Sequence, residues 1–345
     1  MSSINLEHIS KIEGHADLYV KIDDNKIKEL SLDGVEGARY FEGFLKGRKY
    51  DEIHHIVSRI CGVCSQSHLL CGLKAVENAL DIKITSQAEI LRKLILYGSI
   101  LQSHVLHLYF LALPDYLGYE SAIAMASKFK DEVKMALKLK KLANDICTVV
   151  GGRDVHCITP IAGGFSKLPD KEKLNDLLKR LKESRPAIMK TFELFTNNVK
   201  TPDFERKTEY VALSHANEYA FYDGRIKSKK GIDISQAEYK KVLKERVKDT
   251  SSAKFVTASE NKPFMTGSLA RVNLNYSQLN KTAKKAIEKA NLKFPSYDPF
   301  MNNIAQAIEL IHLTEEAIEI LENLDLKEEE PVDYEVKAGH GVAAL

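Results

Sequence analysis

Ser86-Gln87-Ala88-Glu89-Ile90-Leu91-Arg92-Lys93-Leu94-Ile95-Leu96-Tyr97-Gly98-Ser99-Ile100-Leu101-Gln102-Ser103-His104-Val105-Leu106-His107-Leu108 decides the fold class. Ile90, Leu91, Leu94, Ile95, Leu101, Val105 and Leu108 recur at helical spacing in a broad apolar stripe. Arg92, Lys93, Gln102, His104 and His107 make it a poor membrane span. A buried helix fits better, opened by the capping-box pair Ser86 and Glu89 and closing near Pro114.

Outward from this helix the pattern repeats. A second helix is predicted over 121–146, with Val133, Leu137, Leu139 and Leu142 on its apolar face. A third follows Pro169-Asp170, passes Leu174, Leu177, Leu178 and Leu181, is interrupted or bent at Pro186 and resumes to Phe195. A fourth spans about 300–324, with Ile304, Ala307, Ile308, Ile311 and Ile318 as its stripe. Four such helices predict a bundle core. Residues 4–35 alternate loosely, with turn signals at Asp23-Asp24-Asn25 and Asp33-Gly34, and predict a small antiparallel sheet. Tyr210-Val211-Ala212-Leu213 and Lys254-Phe255-Val256 are short β-like runs. The expected class is therefore α+β, mostly helical: a long-helix bundle core, a small N-terminal antiparallel sheet and a mixed α/β lobe. The expected division is 1–50 for the sheet and a first motif helix, 51–200 for the helical bundle, 201–290 for the mixed lobe and 291–345 for the last long helix returning to the bundle.

The 345 residues are 44% hydrophobic and 28% charged, with net charge +2, as in an ordinary soluble globular protein. Lysines interleave with glutamates, so no nucleic-acid partner and no membrane surface is indicated. Met1 to His8 holds no basic region followed by an apolar run, and no signal peptide is expected there. Five cysteines, an odd number, do not make a disulfide framework. Together these lead to an expected cytoplasmic location.

Arg59-Ile60-Cys61-Gly62-Val63-Cys64, with His68 beyond, is the one place where two soft ligands stand close together. Cysteines at this spacing can aim both sulfurs at one ion, and Gly62 lets the backbone fold tightly between them. Metal binding, dithiol redox chemistry and buried structural cysteines are all open on the pair alone. Glu13-Gly14-His15 reads as a strand-edge turn and Glu42 as a solvated residue. Gly151-Gly152-Arg153-Asp154-Val155-His156 reads as a helix C-cap and turn, or as a backbone approach to a prosthetic group. His104 and His107 read as satisfied core histidines.

With these residues in place, the chain resembles the large, catalytic subunit of nickel–iron hydrogenases. Lys11-Ile12-Glu13-Gly14-His15 is similar to that family's RxEGH segment. Arg39, Glu42 and Gly47-Arg48 sit in register with its first long motif, which Arg59 to His68 closes. Ser103 to Asp115, Gly151-Gly152-Arg153 with His156, Gly267 to Asn273, and Asp298-Pro299-Phe300 with Asn302, Ala305 and Glu309 follow in the family's order. The resemblance implies an oxidoreductase that reversibly cleaves dihydrogen to protons and electrons. It implies a nickel–iron centre with carbon monoxide and cyanide ligands, a magnesium ion, and a partner small subunit carrying iron–sulfur clusters. Further electron-acceptor subunits and maturation proteins are implied partners. By position, Cys61 resembles a terminal nickel thiolate and Cys64 a thiolate bridging nickel and iron. Glu13 resembles the proton relay, His68 a hydrogen-bond partner of the bridging thiolate, and Glu42 a magnesium ligand. Arg59, Arg153 and His156 resemble residues packed around the centre.

The sequence departs from the family's pattern as well. Lys11 replaces arginine, Tyr40 glycine, Cys157 and Ser268 proline, and Gln306 arginine. The family closes its centre with a second CxxC and a last histidine, and that C-terminal metal-binding segment is absent from these 345 residues. The sequence covers part of a longer chain, or the remainder is encoded separately, or the chain is a non-catalytic scaffold in an electron- and proton-transfer complex. The 345 residues alone are expected to be inactive.

Overall fold

The computed structural model describes residues 2–37, 39–259 and 262–345. The chain divides into two compact units, one holding residues up to Arg48 with Lys240–Pro263, the other Lys49–Tyr239 with Phe264–Leu345. About 49% of the chain is helical and 16% is strand, so the α+β, mostly helical expectation holds.

In the first unit, β1 Ser2–Leu6, β2 Ala16–Asp23 and β3 Lys26–Gly34 form an antiparallel meander in the order β1-β2-β3. Asp24 and Asn25 take positive φ at the β2–β3 turn, the conformation a tight two-residue hairpin requires. The register aligns Ile4, Val20 and Leu30, and next to them Leu6, Leu18 and Leu32, on one face. A hairpin of Lys244–Lys248 and Ser251–Thr257 joins this unit, where the Gly34 amide donates to Ser251 Oγ at 3.0 Å.

The second unit is the bundle. Its helices of eight or more residues are α1 Ser65–Leu80, α2 Ser86–Leu106, α3 Lys130–Gly151, α4 Lys171–Asn197, α5 Ser268–Asn275, α6 Lys281–Lys289 and α7 Met301–Asn323. α2 lies centrally, packed on α1, α3 and α7, while α4 packs on α3 and α7. Its stripe residues Leu91, Leu94 and Ile95 are fully buried. Gly98 permits the close approach to α3, because a Cβ there would stand 3.0 Å from the Ala143 carbonyl and from Cys147 Sγ. A four-stranded sheet in the order Phe264–Met265, Glu209–Ser214, Arg225–Ser228, Asp233–Ile234 completes the unit.

Several element boundaries differ from the sequence expectation, each for a physical reason. α2 is capped by Thr85, whose hydroxyl accepts from the Ala88 amide at 3.0 Å, one residue before the expected cap. Its axis continues past Pro114 to Tyr116 through a π-helical stretch at His107–Ala112. Pro114 stands in the first turn of the renewed helix, where a missing N–H is tolerated. The helix expected over 121–146 is two, Ala122–Met125 and α3. Phe129 ends the break at the N-cap of α3, its ring edge-on to Tyr119 at 6.0 Å. Leu137 faces outward, 52% exposed, rather than into the core. α4 runs through Pro186 without interruption.

Two buried charge clusters tie the bundle together. Arg92, fully buried, donates to both oxygens of Glu77 at 2.7 and 2.6 Å and to the Ile161 carbonyl at 2.9 Å. Glu309 accepts from Arg271 at 2.6 and 2.8 Å and from Tyr219 at 2.8 Å, and lies 2.7 Å from His104 Nε2. Burial alone would raise the Glu309 carboxyl, but the Arg271 charge and these hydrogen bonds hold it well below the usual carboxylate range. His107 Nδ1 pairs with Gln306 at 2.7 Å, so His104 and His107 are both satisfied as expected. Among the described residues, one stretch, Ser86–Tyr116, is long and apolar enough to cross a membrane; it contains Arg92 and His104, and 67% of its most apolar window is buried inside the protein.

Candidate metal centre

Short helical turns at Ile53–Val57 and Ser58–Ile60 deliver the chain to Cys61, where it becomes extended. Cys64 then stands at the N-cap of α1. The Cys64 amide donates to Cys61 Sγ at 3.2 Å, closing the CxxC turn around the first sulfur. Cys61 is 8% exposed and Cys64 is half-buried. The positive end of a 16-residue helix favours negative charge at this position.

Two glutamines fasten the turn and the start of the helix that follows it. From α2, Gln102 Nε2 donates to the Val63 carbonyl at 2.7 Å. From the first turn of α1, Gln66 Oε1 accepts from Ser65 Oγ at 3.0 Å and from Ser99 Oγ at 3.2 Å. Gln66 Nε2 donates to the Asp154 carbonyl at 2.5 Å, and the His156 amide donates to Ser65 Oγ at 3.0 Å. The Gly151–His156 segment is thereby fastened to the start of α1. The signal available for Gln102 was an amide in the middle of an apolar helix stripe; Gln66 stood inside the Arg59 to His68 motif with no role given to it.

Arg59 and Arg153 are exposed and His156 is half-buried. Burial first, and the Arg59 charge second, lower the His156 imidazole, while a hydrogen bond with the Ser58 backbone opposes them. His68 lies on the first turn of α1, half-buried, and burial lowers its imidazole too. Arg59, Cys61, Cys64, His68, Arg153 and His156 all belong to the second unit.

Glu13 and Glu42 belong to the first unit. Glu13 is exposed in the loop between β1 and β2, beside Gly14 at φ +89. Glu42 stands on the short helix Tyr40–Phe44 with its carboxylate paired to Lys254. A hydrogen bond from Lys254 holds that carboxyl below its ordinary value.

The C-terminal segment bears on α1. Cβ atoms on Gly339 and Gly341 would fall 1.8 Å from the Ala79 carbonyl and 2.0 Å from the Ala75 carbonyl, so backbone lies against backbone. Asn78 Nδ2 donates to the Val342 carbonyl at 2.8 Å and Cys71 Sγ to the Ala343 carbonyl at 3.4 Å. Gln236 Oε1 accepts from the Ala344 amide at 2.8 Å. The partners step from Ala79 to Cys71 as the segment advances, so it runs antiparallel to α1, toward the end that bears Cys64.

Among the described residues, no group of three or more His, Cys, Asp or Glu is placed to hold a metal ion. Cys61 and Cys64 are thus a partial donor set. Their chemistry, two soft sulfurs on one turn, fits nickel and low-spin iron. Glu42, exposed and engaged by a lysine, does not make a magnesium cage.

A family model for nickel-dependent hydrogenase matches residues 39–136, which include the CxxC turn and α2. The alpha chain of sulfhydrogenase 1 from Pyrococcus furiosus is 35% identical over 343 residues, covering 99% of this chain and 80% of that one. The alpha chain of sulfhydrogenase 2 from the same organism is 30% identical over 321 residues, covering 93% and 75%. A solved NAD+-reducing [NiFe]-hydrogenase in the H2-reduced state has the same fold, with TM-score 0.85 at 24% identity over 97% of this chain and 81% of that one. The motif order, the fold and this near full-length similarity agree, and the chain belongs to the nickel-dependent hydrogenases, oxidoreductases of which it is a large (alpha) subunit.

Proposed function

We propose that this chain carries the nickel–iron centre of its enzyme and takes a direct part in the reversible heterolytic cleavage of dihydrogen into protons and electrons. The CxxC turn carries the reading: two sulfurs at a helix N-terminus, with the Cys64 amide on Cys61 Sγ. Cys61 would hold nickel through its thiolate, and Cys64 would offer its thiolate to nickel and iron. When bound, a nickel–iron pair with carbon monoxide and cyanide ligands supplies the Lewis acidity and redox capacity for splitting dihydrogen.

The chain's own residues supply the rest. Heterolysis releases a proton that needs a base with an exit route, and the family motif around Glu13 gives that role to its carboxylate. His68, whose imidazole is lowered by burial, has an N–H to offer the Cys64 sulfur. Arg59, Arg153 and His156 put positive charge and hydrogen-bond donors around the turn. Glu42 stands apart: the family's magnesium would have to displace Lys254, and no step is derived through it.

The electrons pass to a small subunit carrying iron–sulfur clusters and from there to further acceptor subunits. The sulfhydrogenase relatives, each named as one subunit of its hydrogenase, support such partners. Maturation proteins load the centre, and the complex works in the cytoplasm. The test is production of the full-length gene product with the small subunit plus maturation proteins, followed by metal analysis and infrared spectroscopy. Stoichiometric nickel and iron with diatomic-ligand bands are expected. A matured complex without nickel overturns the reading.

A further inference from the structure

We infer that Gln102 is a positioning residue for the two sulfurs, acting through a single peptide plane. The Val63 carbonyl and the Cys64 amide are two ends of one planar unit, so fixing one fixes the other. Gln102, 5% exposed on α2, donates to the Val63 carbonyl at 2.7 Å. At the opposite end of the plane the Cys64 amide donates to Cys61 Sγ at 3.2 Å. Gly62, whose Cβ position is open space, adds no side chain to hold the turn. Without the Gln102 donor the plane can rotate, the amide leaves the first sulfur, and the two sulfurs lose their common aim. α2 is a rigid mount for this donor, since Leu101 and Val105 on either side of Gln102 are buried in the core.

This deepens the proposed metal role of Cys61 and Cys64, but it is tested without a metal. Phenylarsine oxide bridges two thiols only when their sulfurs can meet one arsenic atom, so its reaction rate with the reduced 345-residue chain reports on the geometry. Cys64→Ala identifies the signal that belongs to the pair. Gln102→Met keeps the volume and removes the donor, and bridging is expected to slow about tenfold, the kinetic equivalent of one lost hydrogen bond. Gln102→His restores an N–H at similar reach and is expected to recover most of the rate. Circular dichroism melts of both variants separate this from loss of fold. Wild-type bridging in Gln102→Met overturns the inference. So does equal slowing in Gln102→Met and Gln102→His, which assigns Gln102 to packing alone. A matured complex lacking nickel would defeat the hydrogenase reading and leave this result standing.

Discussion

A carboxylate and an imidazole show how a single side chain's setting governs what it can do. If Glu13 is the proton relay, Glu13→Gln should suppress dihydrogen turnover in the matured complex by about 10²–10⁴-fold while nickel content is unchanged. Metal analysis beside the activity assay checks both halves, and loss of nickel would make the residue structural. His312 makes a different prediction. It is 2% exposed on α7, and its Nδ1 accepts from the Asn280 amide at 3.2 Å, which requires that nitrogen to be unprotonated. Burial pushes its imidazole down to about 4. An unfolded histidine titrates near 6.5, so between these values the unfolded chain binds the extra proton. His312 therefore stabilises the fold fully above about pH 6.5 and progressively less as pH falls toward 4. Urea unfolding at pH 7 and pH 5 should show a smaller acid loss in His312→Gln than in the parent.

Elements are joined here by polar knots as much as by apolar faces. Glu77 on α1 and Arg92 on α2 form a buried pair that also takes the Gly163 amide, at 3.0 Å from Glu77 Oε1. Glu77→Gln leaves the Arg92 guanidinium buried without its counter-charge and should cost about 3–5 kcal/mol in denaturant unfolding. The C-terminal segment makes the opposite kind of contact, backbone on backbone. Gly341→Val cannot seat against Ala75 and should release residues 337–345. Cys71, whose thiol donates to the Ala343 carbonyl, then becomes reactive to iodoacetamide, a gain read by mass spectrometry.

For the molecule as a whole, the sequence told the fold class and motif order but not the fastening. α2, α4 and α7 were legible because long apolar stripes at helical spacing have one economical solution, burial together. The break at 126–129 was not, since the ring contact of Phe129 with Tyr119 that accompanies it exists only after folding. The passage of α4 through Pro186 was hidden for a related reason: tertiary packing overrides a local preference. Cys61, Cys64 and His68 stood out as a motif, and in the structure Arg59 acts on the His156 imidazole. The roles of Gln66 and Gln102 were not legible, since they depend on which carbonyls lie opposite after folding.

The seating of residues 337–345 on α1 has a consequence for the order of folding. Cys71 and Ala343 meet across a sequence separation of 272, and Asn78 and Val342 across 264. Closing so long a loop gains nothing until both surfaces exist, so these contacts form after the helices have packed. An extended chain advances about 6.6 Å in two residues and a helix about 6 Å in four, so the two rulers stay in step along the groove. Once its first glycine is seated, the segment can zip along α1 toward Cys64 with no further search. Protection of Cys71 during refolding is therefore a clock for the last step of assembly, read by pulsed alkylation.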